Sequence, residues 1–322
     1  MRVVHHLSEA NRIEDAPKVP TRVTIGVFDG LHRGHQRIMR GLVEAARASD
    51  HRAIAITFDP HPSAVLGDSP PLLLTTVGER LALMQELKLD TVVVYPFTEN
   101  VANTSAGDFI LELMHHLDLA EIRVGPDFSL GHGKEGDVAY LQSLGDRLGF
   151  AVRAIDPVVW RGNVVRSSRI RRALRHGDLD DANGCLGRPY RLSGVVIHGR
   201  GLGRDIGVPT ANISPPPDRL IPAGGVYACR AYTERGGDFA AAVNVGTRPT
   251  FAARHDSQGL TVEAHLLDFD GDLYDQVLTL DFIARLRDER AYPTLNALVA
   301  QMEADIKETR GLLLRHGRDN AR

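Results

Sequence analysis

Val23-Thr24-Ile25-Gly26-Val27-Phe28-Asp29-Gly30-Leu31-His32-Arg33-Gly34-His35 is the stretch that decides the N-terminal fold. Residues 23–28 read as a strand. From Gln36 to Ala48 the apolar residues Ile38, Met39, Leu42, Val43 and Ala46 recur at helical spacing. The turn between them therefore lies at a helix N-terminus, where free N–H groups and the positive dipole end favour anions. Gly26, Gly30 and Gly34 permit close backbone approach to a phosphate chain. His32 and His35 add side-chain donors at the same spot. A His-x-x-His pair alone would be an ordinary solvated helix start; with the strand, the glycines and the helix around it, the pattern points to a nucleotide-phosphate site.

Outward from this turn, apolar runs at 53–58, 91–96, 121–124 and 151–155 alternate with helical segments, which predicts a parallel sheet. Ligands bind such sheets beyond the carboxyl ends of the strands, where the turn lies. Thr76-Val-Gly-Glu79 and Ser105-Ala-Gly-Asp108 predict capping boxes at two helix starts. Past residue 187 the pattern changes to runs at 192–198, 225–233, 239–245, 261–269 and 276–284, read as an antiparallel barrel or sandwich. A last helix begins near Thr294, with Leu295, Leu298, Val299, Met302 and Ile306 on one face, read as core. The expected domains are 1–186 and 187–322, with the break inside 175–190, where His-Gly-Asp and Gly-Arg-Pro interrupt an Arg-rich helix.

A length of 322 residues with 43% hydrophobic allows two packed cores. A formal charge of −3 without a basic run argues against nucleic acid or a membrane surface as partner. Cys185 and Cys229 have neither disulfide-framework nor zinc spacing, which suits a reducing compartment. No run approaches the ~18 apolar residues of a membrane span, and no signal-peptide pattern opens the chain, so a cytoplasmic location is expected.

Several further strings carry a family resemblance. Gly26 to Gln36 resembles the Gly-x-Phe-Asp-Gly-x-His-x-Gly-His-Gln signature of bacterial enzymes that convert riboflavin to FAD, within the nucleotidyltransferase superfamily. Thr57-Phe-Asp-Pro-His61-Pro62 is similar to that family's Thr-Phe-x-Pro-His-Pro element. Val124-Gly-Pro-Asp127-Phe128-Ser-Leu130-Gly131 looks like its adenine or flavin loop, with Leu130 in place of Phe. Arg166-Ser167-Ser168-Arg169-Ile170-Arg171 resembles Ser-Ser-Thr-x-Ile-Arg, with Arg166 in place of the first Ser and Ser168 in place of Thr. The resemblance implies a Rossmann-like α/β adenylyltransferase domain in which His32 and His35 are catalytic. Gly26, Phe28, Asp29, Gly34, His61, Ser167, Ser168 and Arg171 would bind nucleotide, and Asp127 and Phe128 would border flavin or adenine. No protein nucleophile is needed, since positioning and charge stabilisation can carry such a transfer.

Gly199-Arg-Gly201-Leu-Gly203-Arg-Asp-Ile-Gly207-Val-Pro209-Thr210-Ala-Asn212 is the second dense motif. It lacks the Gly-Lys-Ser/Thr of a Walker loop and no helix pattern follows. It is similar to the signature of the riboflavin kinase β-barrel, with Asp205 in place of Thr. Val262-Glu263 to Tyr274, Gly225-Val-Tyr-Ala228, Asn244 to Phe251 and Leu286 to Tyr292 match other strings of that domain, with Asp275 where Gly commonly follows the Tyr. The resemblance implies that Glu263 is the general base, that Gly199, Gly201, Gly203, Gly207, Pro209, Thr210 and Asn212 bind nucleotide, that Thr210 and Asn212 hold Mg2+, and that Arg287 and Tyr292 contact flavin. The implied chemistry is phosphorylation of riboflavin to FMN by ATP, then adenylylation of FMN to FAD. Expected partners are riboflavin, FMN and ATP, with self-association left open. Competing readings are a chain with one inactive half, a related transferase acting on a pantetheine or nicotinamide substrate, and a non-catalytic flavin sensor.

Overall fold

The computed structural model describes residues 1–11, 19–67, 70–199, 207–247 and 259–319. By their contacts these form two compact units: Met1–Pro71 with Thr75–Ser167, and Leu72–Leu74 with Ser168–Arg322.

The first unit runs β1 (Arg2–Val4), α1 (Leu7–Ala10), β2 (Thr21–Ile25), α2 (Arg33–Arg47), β3 (Arg52–Asp59), α3 (Pro62–Val65), α4 (Val77–Glu86), β4 (Thr91–Pro96), α5 (Glu99–Ala102), α6 (Ala106–His116) and β5 (Leu119–Val124). A hairpin of β6 (Ser129–Leu130) and β7 (Gly136–Asp137), then α7 (Val138–Leu148), β8 (Ala151–Ala154) and a hairpin of β9 (Val159–Trp160) and β10 (Asn163–Val164) complete it. The six-stranded sheet has the order β1-β4-β3-β2-β5-β8, every pair parallel. The three-residue β1, whose Arg2, Val3 and Val4 pair with Thr91, Val92 and Val93 of β4, has too few residues to give a period in the sequence.

Both faces of this sheet are covered, so its strands read as near-continuous apolar runs. On β3, Ile54 and Ile56 join one buried cluster with Phe109, Ile110 and Leu113 of α6. Ala53 and Ala55 face the opposite cluster with Met39 and Leu42 of α2 and Met84 of α4. Each of the large buried side chains stabilises the fold by roughly 1.5–3 kcal/mol. The chain lays β3 and β4 to one side of β2 and β5 and β8 to the other, so the direction of winding reverses between β2 and β5. That reversal opens the crevice where ligands of doubly wound sheets bind.

The Thr76 box forms in full: Thr76 accepts from the Glu79 N–H and Glu79 accepts from the Thr76 N–H. The second start differs. Ser105 Oγ accepts from the Asp108 N–H, but the shorter Asp side chain takes the Ser105 hydroxyl proton at 2.7 Å instead of reaching the backbone.

The second unit contains α8 (Ser167–Arg175) from Ser168 onward, α9 (Leu179–Leu186), β11 (Tyr190–Ile197), β12 (Ala211–Ser214), β13 (Gly225–Thr233), β14 (Asp238–Thr247), β15 (Leu260–Leu266), β16 (Val277–Arg287) and α10 (Leu295–Asp319). The six strands close an antiparallel barrel in the order β11-β12-β15-β14-β13-β16, which decides between barrel and sandwich. Along β15, Val262, Ala264 and Leu266 are buried while Thr261, Glu263 and His265 alternate with them, half-buried. The sequence pattern breaks at 186/187, whereas contacts divide the chain at 167/168; α9 packs on β11 and β16. Thr294 caps α10, its Oγ1 accepting from the Ala297 N–H at 3.2 Å. The apolar stripe of that helix is not sealed core: Leu295 is 59% exposed, and Leu298, Met302 and Ile306 border a cavity.

Candidate active sites

In the first unit, Phe28, Gly30 and Leu31 all have positive φ (54°, 79° and 36°) and turn the chain sharply from β2 into α2. His32 is the N-cap of α2. Its Nδ1, in the assigned tautomer, accepts from the His35 N–H at 3.3 Å. The two imidazoles stack with centroids 3.6 Å apart and planes 19° apart, and the Phe28 ring meets His35 edge-on at 5.2 Å. Gly34 makes this stack possible, because a Cβ there would lie 3.0–3.1 Å from the His32 ring. At Gly26 a Cβ would meet the Phe28 ring as closely. His35 Nδ1 is buried without a hydrogen-bond partner. Burial first, then the neighbouring His32 and Arg80, hold the His35 pKa well below the ordinary imidazole value, so the ring is neutral at pH 7.

Asp29 lies under the turn at 3% exposure. Its Oδ1 accepts from Thr75 N at 3.0 Å and from Thr75 Oγ1 at 3.1 Å, and Thr75 Oγ1 accepts from the Gly30 N–H at 2.9 Å. Arg80, equally buried, donates to the Val27 carbonyl and to Thr57 Oγ1, joining the ends of β2 and β3. Burial depresses the Arg80 pKa, against the pull of Asp29 and Asp59. Sequence reading took Thr76 and Glu79 as a helix start and missed Thr75 and Arg80. The available signal was a cation in the first turn of a helix, where the dipole disfavours one.

An apolar cavity of about 330 Å3 lies beyond the carboxyl ends of β2, β3 and β5. Phe58, Phe97, Phe109, Phe128 and Leu130 supply its walls, with Phe58 and Phe97 edge-to-face at 5.5 Å. Gly26 and Val27 border it, so the cavity and the histidine turn meet at the end of β2. His61 caps α3, accepting from the Ser63 N–H at 3.2 Å, and the adjacent Pro62 borders the cavity. Asp127 also lines it and pairs with Arg166 at 2.5 Å. Ser167 Oγ donates to the Asp29 carbonyl at 2.9 Å, tying the start of α8 to the turn. Ser168 is exposed and Arg171 donates to the Leu72 carbonyl at 2.8 Å; both belong to the second unit.

In the barrel, strand register places Glu263 directly opposite Asn212 on β12 and Asn244 on β14. All of them except Asn212 line a cavity of about 310 Å3 on the outer barrel wall, which Leu298, Met302 and Ile306 of α10 help to close. Thr210 borders this cavity and a neighbouring one of about 480 Å3 that contains Tyr274. The Asn212 amide fills the space over Gly199: a Cβ on Gly199 would stand 2.0 Å from its Nδ2. Gly207 has φ 78°, and the Pro209 carbonyl pairs with His265 Nδ1 at 2.8 Å. Gly201, Gly203 and Asp205 lie outside the described residues, as does the end of the string from Asn244 to Phe251.

Arg287 does not hold its guanidinium free. Nε and Nη2 donate to Asp305 at 3.0 and 2.7 Å, the carboxylate raises its pKa, and the cation lies over the Tyr292 ring at 5.7 Å. Tyr292 Oη is buried with no partner and its residue lines the cavity. Asp305, missed from sequence, is 4% exposed and also accepts from Gln301 at 2.9 Å. Gln301, Asp305 and Ile306 fall on the same helical face, but a lone Asp among apolar positions gave no hint of its partner on a distant strand.

Two family matches divide the chain as the two sites do: FAD synthetase over residues 15–169 and riboflavin kinase over residues 186–313. The chain is 34% identical over 307 residues to the bifunctional riboflavin kinase/FMN adenylyltransferase of Escherichia coli K12, covering 95% of both chains. The chain belongs to the bifunctional riboflavin kinase/FMN adenylyltransferase family. Relatives of that description from Pseudomonas fluorescens (36% identical, 90% of this chain and 92% of theirs) and Bacillus subtilis (30%, 94% and 96%) span both halves as well. A solved structure described as a macrolide-efflux protein from Streptococcus pneumoniae matches with TM-score 0.83 at 27% identity, covering 96% of this chain and 98% of that one. Among the described residues no helix is long and apolar enough to cross a membrane.

Within the riboflavin kinase/FMN adenylyltransferase family pattern, the departures now have local structures. Leu130 keeps an apolar wall where Phe is usual. Asp275, where Gly is common, adopts φ 60°, the left-handed region glycine enters freely.

Proposed function

We propose that the two constellations perform the two activities of the family: the 1–186 segment adenylylates FMN and the 187–322 segment phosphorylates riboflavin. The observation that carries the reading is the pair of unlike phosphate-type sites, each beside a cavity of flavin-compatible character. Attack at a γ-phosphate and attack at an α-phosphate need different arrangements, so one site would not serve both.

In the barrel, Glu263 accepts the proton of the riboflavin 5′-hydroxyl as that oxygen attacks the γ-phosphorus of ATP, and the bond to the departing ADP oxygen breaks. The Tyr292 hydroxyl, lacking a protein partner, is available to a polar edge of the flavin. Leu298 and Met302 exclude water from the ring system. The side-chain oxygens of Thr210 and Asn212, with Glu263 opposite Asn212, are hard donors that fit Mg2+. Mg2+ would supply charge neutralisation to the ATP phosphates there. Gly199 and Gly207 to Asn212 would cradle the nucleotide, with Gly201 and Gly203 assigned by their motif alone.

In the first unit, a phosphate oxygen of FMN attacks the α-phosphorus of ATP and pyrophosphate leaves. His32 and His35 would donate to the polyphosphate and stabilise its developing charge, with Gly26, Phe28, Gly34 and Asp29 shaping their turn and His61 assigned by its motif. For Ser168 and Arg171 the motif alone carries the triphosphate assignment. The aromatic cavity, with Phe128, would take the isoalloxazine. Soluble small-molecule substrates accord with a cytoplasmic location.

The test is to incubate the protein with riboflavin, ATP and Mg2+ and to follow flavins by chromatography. FMN appearing first and FAD second is the expected course. FMN without FAD would remove the adenylyltransferase assignment, and flavin binding without product would replace both with a sensor.

A further inference from the structure

The Arg166–Asp127 pair lies at the edge of the aromatic cavity, on a residue where relatives of this motif carry Ser. Arg166 Nη2 stands 2.5 Å from Asp127 Oδ2, and the side chains are 58% and 65% exposed. Such a solvated pair contributes little and separates readily. Asp127 belongs to the loop that presents Phe128 and Leu130 to the cavity. Arg166 is followed directly by Ser167, which is fastened to the Asp29 carbonyl beneath the histidine turn. Arg166 thus pairs its guanidinium with a residue of the cavity wall, while its backbone neighbour is fastened to the turn that bears His32 and His35.

We propose that Arg166 recognises the 5′-phosphate of the phosphorylated flavin and exchanges Asp127 for that phosphate when the flavin binds. The inference rests on assigning the cavity to flavin. An apolar chamber that holds the ring system leaves the dianionic tail at its edge, and the planar guanidinium fork matches a phosphate in two parallel bonds. A dianion outcompetes the single carboxylate for the fork. A flavin without phosphate leaves the Arg166–Asp127 pair intact, so the exchange favours FMN over riboflavin. Lys134, a cation that lines the cavity itself, is a point charge on a flexible stem and offers no matching fork.

The test measures FAD formation from FMN and ATP, which bypasses the kinase site. Arg166→Gln should raise KM for FMN about tenfold, the loss of one charge-assisted pair, with KM for ATP unchanged and kcat within about twofold. Arg166→Lys should recover part of that loss, and Asp127→Asn should lower KM for FMN. In the native protein KM for FMN should rise with salt, and less steeply in Arg166→Gln. An unchanged KM for FMN, or a KM for ATP that rises equally, would overturn the proposal. Phe58→Ala separates the underlying assignment: if it raises KM for FMN while Arg166→Gln does not, the cavity holds flavin and only the phosphate contact is wrong. If Phe58→Ala also leaves KM for FMN unchanged, the cavity reading itself fails.

Discussion

His35 is held neutral by burial and by two neighbouring groups, and this has a sign. Its folded pKa lies below the unfolded value near 6.5, so its contribution to stability is complete above that pH and is lost as pH falls from there toward the folded value. Between pH 7.5 and 5.5 the native protein should lose about 1 kcal/mol that a His35→Gln variant does not lose. Urea midpoints at both pH values check this, and equal losses in the two proteins would contradict the buried imidazole. At Gly34 the added methyl of Gly34→Ala displaces the His32 ring by a few tenths of an ångström. That should lower adenylyl-transfer kcat about tenfold, with riboflavin phosphorylation as the unaffected internal control.

At the scale of elements, helices and strands are pinned by charges that sequence patterns do not pair. Glu121 on β5 is 2% exposed and gathers Arg22 of β2 and Arg123, with Arg153 of β8 at 3.7 Å. Removing it leaves the partly buried guanidiniums of Arg22 and Arg123 uncompensated, so Glu121→Ala should cost about 3 kcal/mol in denaturant unfolding. Asp305 does the same for α10. Asp305→Ala frees the Arg287 fork and loosens the helix that carries Leu298 and Met302. Loss of about 3 kcal/mol and a raised KM for riboflavin are expected together, whereas a helix merely resting on the barrel would leave KM unmoved. The helix starts at Thr76 and Thr294 were legible because a cap is a local bond between near neighbours. Asp305, Arg80 and Glu121 were not, since each also has partners 18 or more residues away: Arg287 for Asp305, Val27 and Thr57 for Arg80, Arg22 and Arg153 for Glu121.

For the whole molecule, the proposed pair of sites predicts separable activities. Glu263→Ala should slow FMN formation about 1000-fold, as loss of a general base does, and leave FMN-to-FAD conversion within twofold. His35→Ala should slow FAD formation by about 100-fold or more and leave FMN formation intact. Chromatography of all three flavins reads both. Equal losses in either variant would refute the division of labour.

The sequence by itself determined the fold class of each half, because a strand-turn-helix with glycines and alternating strand runs are patterns of near neighbours. It also pointed to the two motifs proposed to carry phosphate chemistry. The strand pattern left barrel and sandwich open while the family resemblance implied a barrel; the tertiary structure closes it, since closure depends on β11 pairing with both β12 and β16. It turned the apolar stripe of α10 from core into cavity wall, because that depends on what faces the helix. It also set Glu263 between Asn212 and Asn244, a register fixed by hydrogen bonds between strands tens of residues apart.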